Sequence, residues 1–296
     1  MIQIVAKGDT FIIKFQFSII NYLSGESLDK LEFTTKEFTM GERLNEKKPS
    51  GLSARMLKIW GLAFLAVGAA GQAILQNKLL QIGHLTTAQL LEAMQTDSNT
   101  MLFATLALVL QTAQTCAVPI FAFLLVERFR ATEKPLVYIG WLLGAAAISE
   151  VPYNLVMVGN YLDPGKLNPM FTMALCALML WFYKTFPEKT AKDRFIRFIV
   201  TASSVLWTLM LGMEFGPCAV ALVAVIWFLG HKPLIRNLVG AVIAILCSIF
   251  SPFFVASPMG FLAVHLYNGE PEEHKFTNYL VYPGLLIVVL SIAYFI

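Results

Sequence analysis

Two long apolar stretches joined by a short charged turn constrain the fold of this chain more than any other feature. The first ends and the second begins within residues 119–154, and each is long enough to cross a bilayer as a helix. Each has a proline in its interior, Pro119 and Pro152, and the second also contains Glu150. A charged side chain at the centre of a membrane helix costs about 2.5–3.5 kcal/mol on insertion scales. Glu150 is therefore expected either to line a functional pocket or to bond a neighbouring helix.

The composition extends this conclusion to the whole chain. Apolar residues make up 57% of the 296 and charged residues only 14%, whereas soluble domains average about 25% charged. The chain is therefore predicted to be a polytopic membrane protein whose partner is the lipid bilayer. No basic run is interleaved with aromatic residues, so nucleic-acid binding is not expected. The four cysteines fall inside apolar runs without paired spacing, which predicts core residues and neither disulfides nor metal ligands.

The apolar runs predict an all-α bundle of eight or nine transmembrane segments. The predicted segments are 57–75, 101–126, 136–158, 170–183, 198–213, 215–229, 237–250, 253–267 and 279–296. The segments 237–250 and 253–267 are each shorter than the roughly 17 residues of a minimal span. They are expected to form either two short spans or a re-entrant hairpin. Residues 87–94 are expected to form a short surface helix.

The distribution of Lys and Arg predicts the orientation of the bundle. With nine segments and the N-terminus inside, the inner loops carry 16 of the 22 basic residues. The outer loops carry only Lys78 and Lys166. Because cytoplasmic loops are enriched in Lys and Arg, this asymmetry predicts a cytoplasmic N-terminus and an external C-terminus. If the segments 237–250 and 253–267 formed a re-entrant hairpin, the number of crossings would fall by two and both termini would stay on the predicted sides.

The N-terminal region divides into two parts by composition. Residues 1–39 hold no run that is both long and apolar enough for a span. The dipeptide Lys36-Glu37 can be encoded by a ribosome-binding sequence two codons before Met40. Residues 1–39 are therefore expected to be a non-native or disordered upstream extension. Residues 40–56 are expected to be a polar cytoplasmic segment, and residues 57–296 the transmembrane domain.

Glycines in the first span and a proline in the second predict a local feature of each. The first span contains Gly61, Gly68 and Gly71, and small residues let a neighbouring helix approach closely. The second span, at about 39 Å, is longer than the hydrocarbon core and must tilt or bend. Pro119 is expected to bend it, because the missing N–H leaves the carbonyl of Thr115 without its helical donor.

A polar notch is predicted on the third span. Glu150, Tyr153 and Asn154 share one helical face through i, i+3 and i+4 spacing. Glu150 is the candidate general base or cation-binding group. Tyr153 is either a packing residue or a pocket residue, and Asn154 contributes hydrogen bonds without charge. Asn168 either caps the fourth helix or points into the pocket.

Three further polar residues lie near the ends of later segments. His265 is a weaker catalytic candidate, because it is the one histidine predicted inside a span. Asn268 lies three residues further along and is a candidate substrate ligand. Glu214 lies in a tight turn before the sixth span and is expected to be solvated.

Five motifs resemble the TraX family of bacterial multi-pass membrane proteins. In family order they read PIFAFLLVERFR (119–130), ISEVPYNL (148–155), NPMFTM (168–173), LYNGE (266–270) and YLVYP (279–283). The resemblance implies an all-helical integral protein of the bacterial cytoplasmic membrane, related to the enzyme that acetylates the N-terminus of conjugative pilin. It also implies acetyl-CoA or another acyl-CoA as donor, and pilin or another envelope molecule as acceptor.

The resemblance suggests roles for the candidate residues. Glu150, Asn154 and Asn168 would line the acceptor site. Arg128 and Arg130 lie at the inner end of the second span. They would either hold the phosphates of a CoA-type donor on the cytoplasmic side or lie at the membrane interface as snorkelling side chains.

The sequence also departs from the family pattern at three places. The run Gly68-Ala69-Ala70-Gly71 stands where the family usually has Asp-His before a Gly, and Gln114-Thr115 stands where it often has Gly-Arg. Gly284-Leu285 follows the final Tyr-Pro, where the family tends to have a His. Acyl transfer commonly uses a His or carboxylate to accept a proton. The alternatives are therefore a relative that has lost this activity, a non-catalytic membrane scaffold, or a small-molecule permease built on broken helices.

Overall fold

The computed structural model describes residues 2–7, 10–15, 51–82, 85–163, 165–272 and 277–296. The chain forms two compact units, residues 1–50 and 51–296. In the first unit, strands β1 (Ile2–Lys7) and β2 (Thr10–Phe15) pair antiparallel, with Ile2 opposite Phe15. The rest of the predicted upstream extension, and residues 40–50 of the predicted polar segment, lie outside the described residues.

The second unit is all-helical, as the sequence predicts. Its helices are α1 (Ala54–Ala70), a π-helical continuation (Gly71–Leu79), α2 (Thr87–Thr96), α3 (Ser98–Gln114), α4 (Ala117–Ala131), α5 (Pro135–Met157), α6 (Pro169–Thr185), α7 (Ala191–Met210), α8 (Gly216–Leu229), α9 (Pro233–Leu246), two 3₁₀ segments (Cys247–Ile249 and Pro252–Met259), α10 (Gly260–His265) and α11 (Thr277–Phe295). The predicted surface helix is α2, whose capping box pairs Thr86 with Gln89.

Four helical stretches in the described part of the chain are long and apolar enough to cross a membrane. They are Ala54–Leu79, Ser98–Ala131, Pro135–Met157 and Thr277–Phe295. Three shorter apolar stretches are Gly216–Leu229, Pro233–Ile249 and Pro252–His265. The membrane-helical character of the chain is thus confirmed with four candidate spans. The total of eight or nine segments and the cytoplasmic N-terminus stay predictions.

The glycines of the first predicted span allow other helices to approach closely, as predicted, and these helices are α3 and α4. A Cβ at Gly61 would lie 2.8 Å from the Phe121 ring, and a Cβ at Gly71 would lie 2.9 Å from Leu110 Cβ. A Cβ at Gly68 would collide with the side chain of Gln114. Side chains from α3 and α4 therefore occupy the space that these glycines leave empty.

The long second span is interrupted just ahead of Pro119. Helix α3 ends at Gln114 and α4 begins at Ala117, and the carbonyl of Thr115 accepts the N–H of Val118 at 3.1 Å. A proline at position 119 cannot supply the usual i+4 donor, which explains the shortened turn. The hydroxyl of Thr115 then donates to the carbonyl of Phe253 at 3.0 Å, so the interruption is where the 3₁₀ segment Pro252–Met259 docks.

The last two predicted short segments pack against each other. Helix α9 contacts both the 3₁₀ segment Pro252–Met259 and α10. A Cβ at Gly240 of α9 would collide with the ring of Phe261 in α10, so these helices meet at the glycine. The core of the unit surrounds α8, which is apolar on all sides and packs against α4, α6, α7 and α9.

Candidate functional site

A cavity of about 310 Å³ extends from the starts of α1 and α5 and the end of α4 to the starts of α6 and α8. We call it the apolar cavity. Its charged lining residues, which we call its mouth, are Lys58, Glu127, Arg128 and Glu272, and the rest of its lining is mainly apolar and aromatic. The interior residues include Leu62, Leu65, Phe121, Leu124, Met170, Met173, Phe215, Val281 and Tyr282.

The basic residues at this mouth differ in how they are bonded. Lys58 Nζ forms a salt bridge with Glu272 Oε1 at 2.6 Å. Arg130, which does not line the cavity, donates to the carbonyl of Trp227 at 2.7 Å and lies 5.2 Å from the centroid of that indole ring. Arg128 lines the cavity and forms neither a hydrogen bond nor a salt bridge with the described residues. Arg128 is therefore the basic group at the mouth that is left to bind an anion.

A second cavity, of about 360 Å³, is lined by amide side chains, and we call it the polar chamber. The amides come from the π segment, with Gln72 and Gln76, and from α3, with Gln111 and Gln114. The other lining residues are Thr115, Met157, Lys166, Met213, Glu214, Phe215, Ser251, Phe253 and Phe254. A π-helical stretch is rare and is often found at functional sites.

The two cavities lie toward opposite ends of the candidate spans. In the first span, Lys58 lines the apolar cavity whereas Gln72 and Gln76 line the polar chamber. In α5, Tyr138 near the start lines the apolar cavity whereas Met157 at the end lines the polar chamber. The two cavities therefore extend toward opposite ends of these two helical stretches.

Phe215 lines both cavities, so the two cavities approach each other at this residue. It precedes α8 with φ 57° and ψ 8°, a left-handed conformation that is uncommon for a bulky residue. Glu214, which lines the polar chamber, precedes it directly. The hydroxyl of Tyr153 donates to Glu214 Oε2 at 3.0 Å, and the hydroxyl of Thr172 donates to the Glu214 carbonyl at 2.7 Å. The carboxylate is thus held in place at the junction of the two cavities.

Glu214 lies in the connection between α7 and α8, outside the four candidate spans. Burial raises the pKa of its carboxyl, while the hydrogen bond from Tyr153 and the positive charge of Lys166 act in the opposite direction. A carboxyl with a raised pKa is a better proton acceptor near neutral pH. Glu214 is half-buried and lines the polar chamber, and its bond to Tyr153 goes beyond the solvated turn residue that was expected. The sequence showed a tight turn, but the bond to Tyr153 joins residues 61 positions apart.

Glu150 joins α5 to the start of α6. Its Oε2 accepts from Asn168 Nδ2 at 2.6 Å and from the Asn168 backbone N–H at 3.3 Å. Its Oε1 accepts from Asn154 Nδ2 at 3.3 Å. Asn168 also caps α6, accepting from the Met170 N–H at 2.9 Å, and donates to the Ala146 carbonyl at 2.7 Å. The structure thus brings Glu150, Asn154 and Asn168 together, with both asparagines fully buried, and none of the three lines either cavity.

Replacement of Asn168 by Ala is expected to lower the free energy of unfolding by about 2–4 kcal/mol, since it removes a helix cap and leaves a carboxylate short of donors. All four cysteines are buried, so a thiol-reactive dye reports unfolding on heating. Asn160→Ala, at an exposed site in the loop before α6, should change stability by less than about 0.5 kcal/mol. Equal melting of the two variants would show that the Glu150 cluster adds no stability.

The remaining candidates lie away from the polar chamber. His265 is exposed at the end of α10 and lines neither cavity. Asn268 Oδ1 accepts from the Glu270 N–H at 2.9 Å, and its own N–H donates to the Leu52 carbonyl at 3.0 Å. Asn268 thus ties its turn to the start of α1, and the adjacent Tyr267 lines the apolar cavity. In the described ranges, no three His, Cys, Asp or Glu side chains group closely enough to hold a metal ion.

The sequence analysis missed the four chamber glutamines. Gln72 and Gln76 are four residues apart, and Gln111 and Gln114 are three apart, so each pair lies on one helical face. Pairs of glutamines at helical spacing inside apolar spans could have been used to predict a polar site on each span. The spacing alone does not show that the two pairs face each other.

A family model described as TraX protein matches residues 84–293, which is most of the chain. Comparisons with curated proteins and with solved structures gave no match. The matched residues include Tyr153, Glu214 and Phe215, whereas α1 and its π continuation precede them.

Proposed function

Because the chain belongs to the TraX family, we propose that it is a membrane acyltransferase that uses an acyl-CoA as donor. The donor enters the apolar cavity and the acceptor enters the polar chamber. The acceptor is an amine or a hydroxyl of pilin or of another envelope molecule. The proposal is carried by the position of Glu214, which lines the polar chamber beside Phe215, the residue that also lines the apolar cavity.

We place the protein in the bacterial cytoplasmic membrane with its N-terminus inside and its C-terminus outside. The asymmetry of Lys and Arg between alternate loops supports this orientation. In this orientation the mouth with Lys58 and Arg128 faces the cytoplasm, where acyl-CoA is made. The polar chamber then faces the envelope, where pilin or another acceptor would be presented.

The residues that line the apolar cavity suit a CoA-type donor. At its mouth, Arg128 has no carboxylate partner at salt-bridge distance among the described residues, and a guanidinium binds phosphate through paired hydrogen bonds. The apolar interior can take the acyl group and the arm that carries it. Its far end, at Phe215, lies next to Glu214.

Glu214 is placed to accept the proton of the acceptor. When the amine nitrogen or hydroxyl oxygen attacks the thioester carbon, a C–N or C–O bond forms and the C–S bond breaks. The proton passes from the attacking group to the Glu214 carboxylate and from there to the departing thiolate. Tyr153 positions the Glu214 carboxylate through its hydrogen bond. Glu150 affects the site only indirectly, because its bonds to Asn168 hold α5 to α6.

Purified protein in liposomes, given labelled acetyl-CoA and a cell-envelope fraction, tests this proposal. We expect label to move from CoA to an envelope component in a protein-dependent manner. Absence of transfer to any envelope fraction, from protein that melts cooperatively in the thiol-dye assay, would contradict the proposal.

Arg128→Ala is expected to raise the KM for acetyl-CoA roughly tenfold or more, because a hydrogen bond to a charged group contributes about 1.5–3 kcal/mol. Arg130→Ala is the matched control. Its guanidinium is bound to Trp227 and to Glu127, so its loss should lower thermal stability and change the KM far less than the loss of Arg128 does. Initial rates over a range of acetyl-CoA concentrations measure both. An equal rise in KM for the two variants would show that Arg128 has no special role.

A small-molecule permease is the second candidate. Two cavities that approach a single aromatic residue from opposite faces are also an arrangement that a transporter needs. Uptake of labelled solutes into liposomes, without acyl transfer, would favour this candidate. Acyl transfer without uptake would favour the enzyme, and absence of both would favour a scaffold.

A further inference from the structure

The four glutamines of the polar chamber indicate the chemistry of the molecule it binds. Two of them are held in place by hydrogen bonds. Gln72 Nε2 donates to the Met157 carbonyl at 3.1 Å, and Gln111 Nε2 donates to Gln72 Oε1. The other two, Gln76 and Gln114, make no side-chain hydrogen bond within the described parts of the chain.

Gln114 is the more informative of the two. It is only 8% exposed and lines the chamber. It fits because it packs on Gly68, where a Cβ would collide with it. Its amide is not enclosed by protein atoms and opens into the chamber, and polar groups in such a site are almost always hydrogen-bonded. The missing partner of Gln114 is therefore expected to come from a molecule inside the chamber.

The chamber carries little net charge. Among its described lining residues, Glu214 is the one carboxylate and Lys166 the one ammonium, and the two attract each other. Tyr153 already donates to the carboxylate. A cationic amine would therefore meet one carboxylate that already has a hydrogen-bond donor and a nearby ammonium. An amide donates and accepts hydrogen bonds, as a hydroxyl does, while Phe253 and Phe254 add apolar surface.

We propose that the polar chamber binds a neutral polyhydroxylated molecule, such as a sugar unit of an envelope glycan, through the amides of Gln76 and Gln114. Its role as the acyl acceptor rests on the proposed function. In that role a sugar hydroxyl oxygen attacks the thioester carbon, a C–O bond forms and the C–S bond breaks. The hydroxyl proton passes to Glu214 and then to the departing thiolate. The volume of about 360 Å³ is within the range of small-molecule sites.

Equilibrium binding to the full chain in detergent, without acyl donor, tests the chamber separately from the reaction. The probes are labelled N-acetylglucosamine and methyl glucoside, with ethanolamine and glycinamide as amines. We expect a glycoside to bind and Gln114→Leu to weaken binding at least fivefold, since one hydrogen bond is lost. Gln95→Leu, at an exposed site on α2, should bind as the parent does. Gln76→Leu provides a second test if Gln114→Leu melts early.

The outcomes separate this inference from the proposed function. Glycoside binding that depends on Gln114 or Gln76, with no acyl transfer, would support the chamber and overturn the acyltransferase. Acetyl transfer to ethanolamine or glycinamide, with no glycoside binding, would overturn the inference and leave the acyltransferase standing. Equal glycoside binding by the parent and both glutamine variants would also overturn the inference.

Discussion

Glu214→Gln is expected to lower the rate of acyl transfer by about 10²–10⁴-fold, the range that a positioned general base contributes. The amide keeps the size of the side chain and can still bond the Tyr153 hydroxyl, so the turn should stay folded. It cannot accept a proton as a carboxylate does. Initial rates with saturating labelled acetyl-CoA measure the loss. The thiol-dye melt checks that the variant is folded.

Glu133→Gln is the matched control, because Glu133 is exposed between α4 and α5 and lines neither cavity. It should keep the parent rate. The parent rate should rise with pH as Glu214 loses its proton, with an inflection above the usual glutamate range because burial raises the pKa of this carboxyl. A Glu214→Gln variant that keeps both the rate and this pH profile would exclude Glu214 as the base.

The second large effect is expected at Gly212. Replacement by Ala should lower the free energy of unfolding by roughly 2–4 kcal/mol, for two reasons that add. Gly212 has φ 57°, and a Cβ there would collide with the carbonyl of Gly165. The turn is also paired with Leu167, whose N–H donates to the Gly212 carbonyl at 3.2 Å and whose carbonyl accepts the Glu214 N–H at 2.9 Å. Activity should fall too, since this pairing places Glu214.

Gly144→Ala is the control for this prediction. Gly144 lies inside α5, and no atom lies within 4 Å of the position that a Cβ would take, so Ala fits there without a clash. Ala is favoured over Gly in a helix by about 0.5–1 kcal/mol, and the variant should melt at or above the parent temperature. Thermal unfolding with the thiol dye compares the two. A Gly212→Ala variant as stable as Gly144→Ala would mean that the turn tolerates rearrangement.

The sequence predicted features that depend on local chemistry. Apolar runs marked the helices, the glycines of the first span marked the close approach of α3 and α4, and Pro119 marked the interruption beside it. Asn168 was expected to cap α6 or to enter a pocket, and it caps α6. Each of these follows from residues within a few positions of one another, which is why a single sequence was enough.

The site needed contacts between distant residues, and these were not predictable from one sequence. Glu150 was a candidate because a carboxylate inside a span costs free energy. Hydrogen bonds from Asn154 and Asn168 offset this cost. Glu214 looked like a turn residue, since neither Tyr153 nor the chamber can be inferred from its neighbours.

Two of the departures from the family pattern meet in the structure. Gly68 lies against Gln114, so the run Gly68-Ala69-Ala70-Gly71 and the pair Gln114-Thr115 form one contact beside the polar chamber. Small residues, an amide and a hydroxyl form this contact, which fits a chamber for a neutral acceptor.

We propose that the two cavities reach Phe215 from opposite faces of the membrane, with Glu214 beside it in the polar chamber. Single cysteines at Leu62, in the apolar cavity, and at Gln76, in the polar chamber, test it with a membrane-impermeant maleimide. The four native cysteines are buried and give little background. We predict that Leu62→Cys reacts only in inside-out vesicles and Gln76→Cys only in right-side-out vesicles. Labelling of both from the same face would contradict the account.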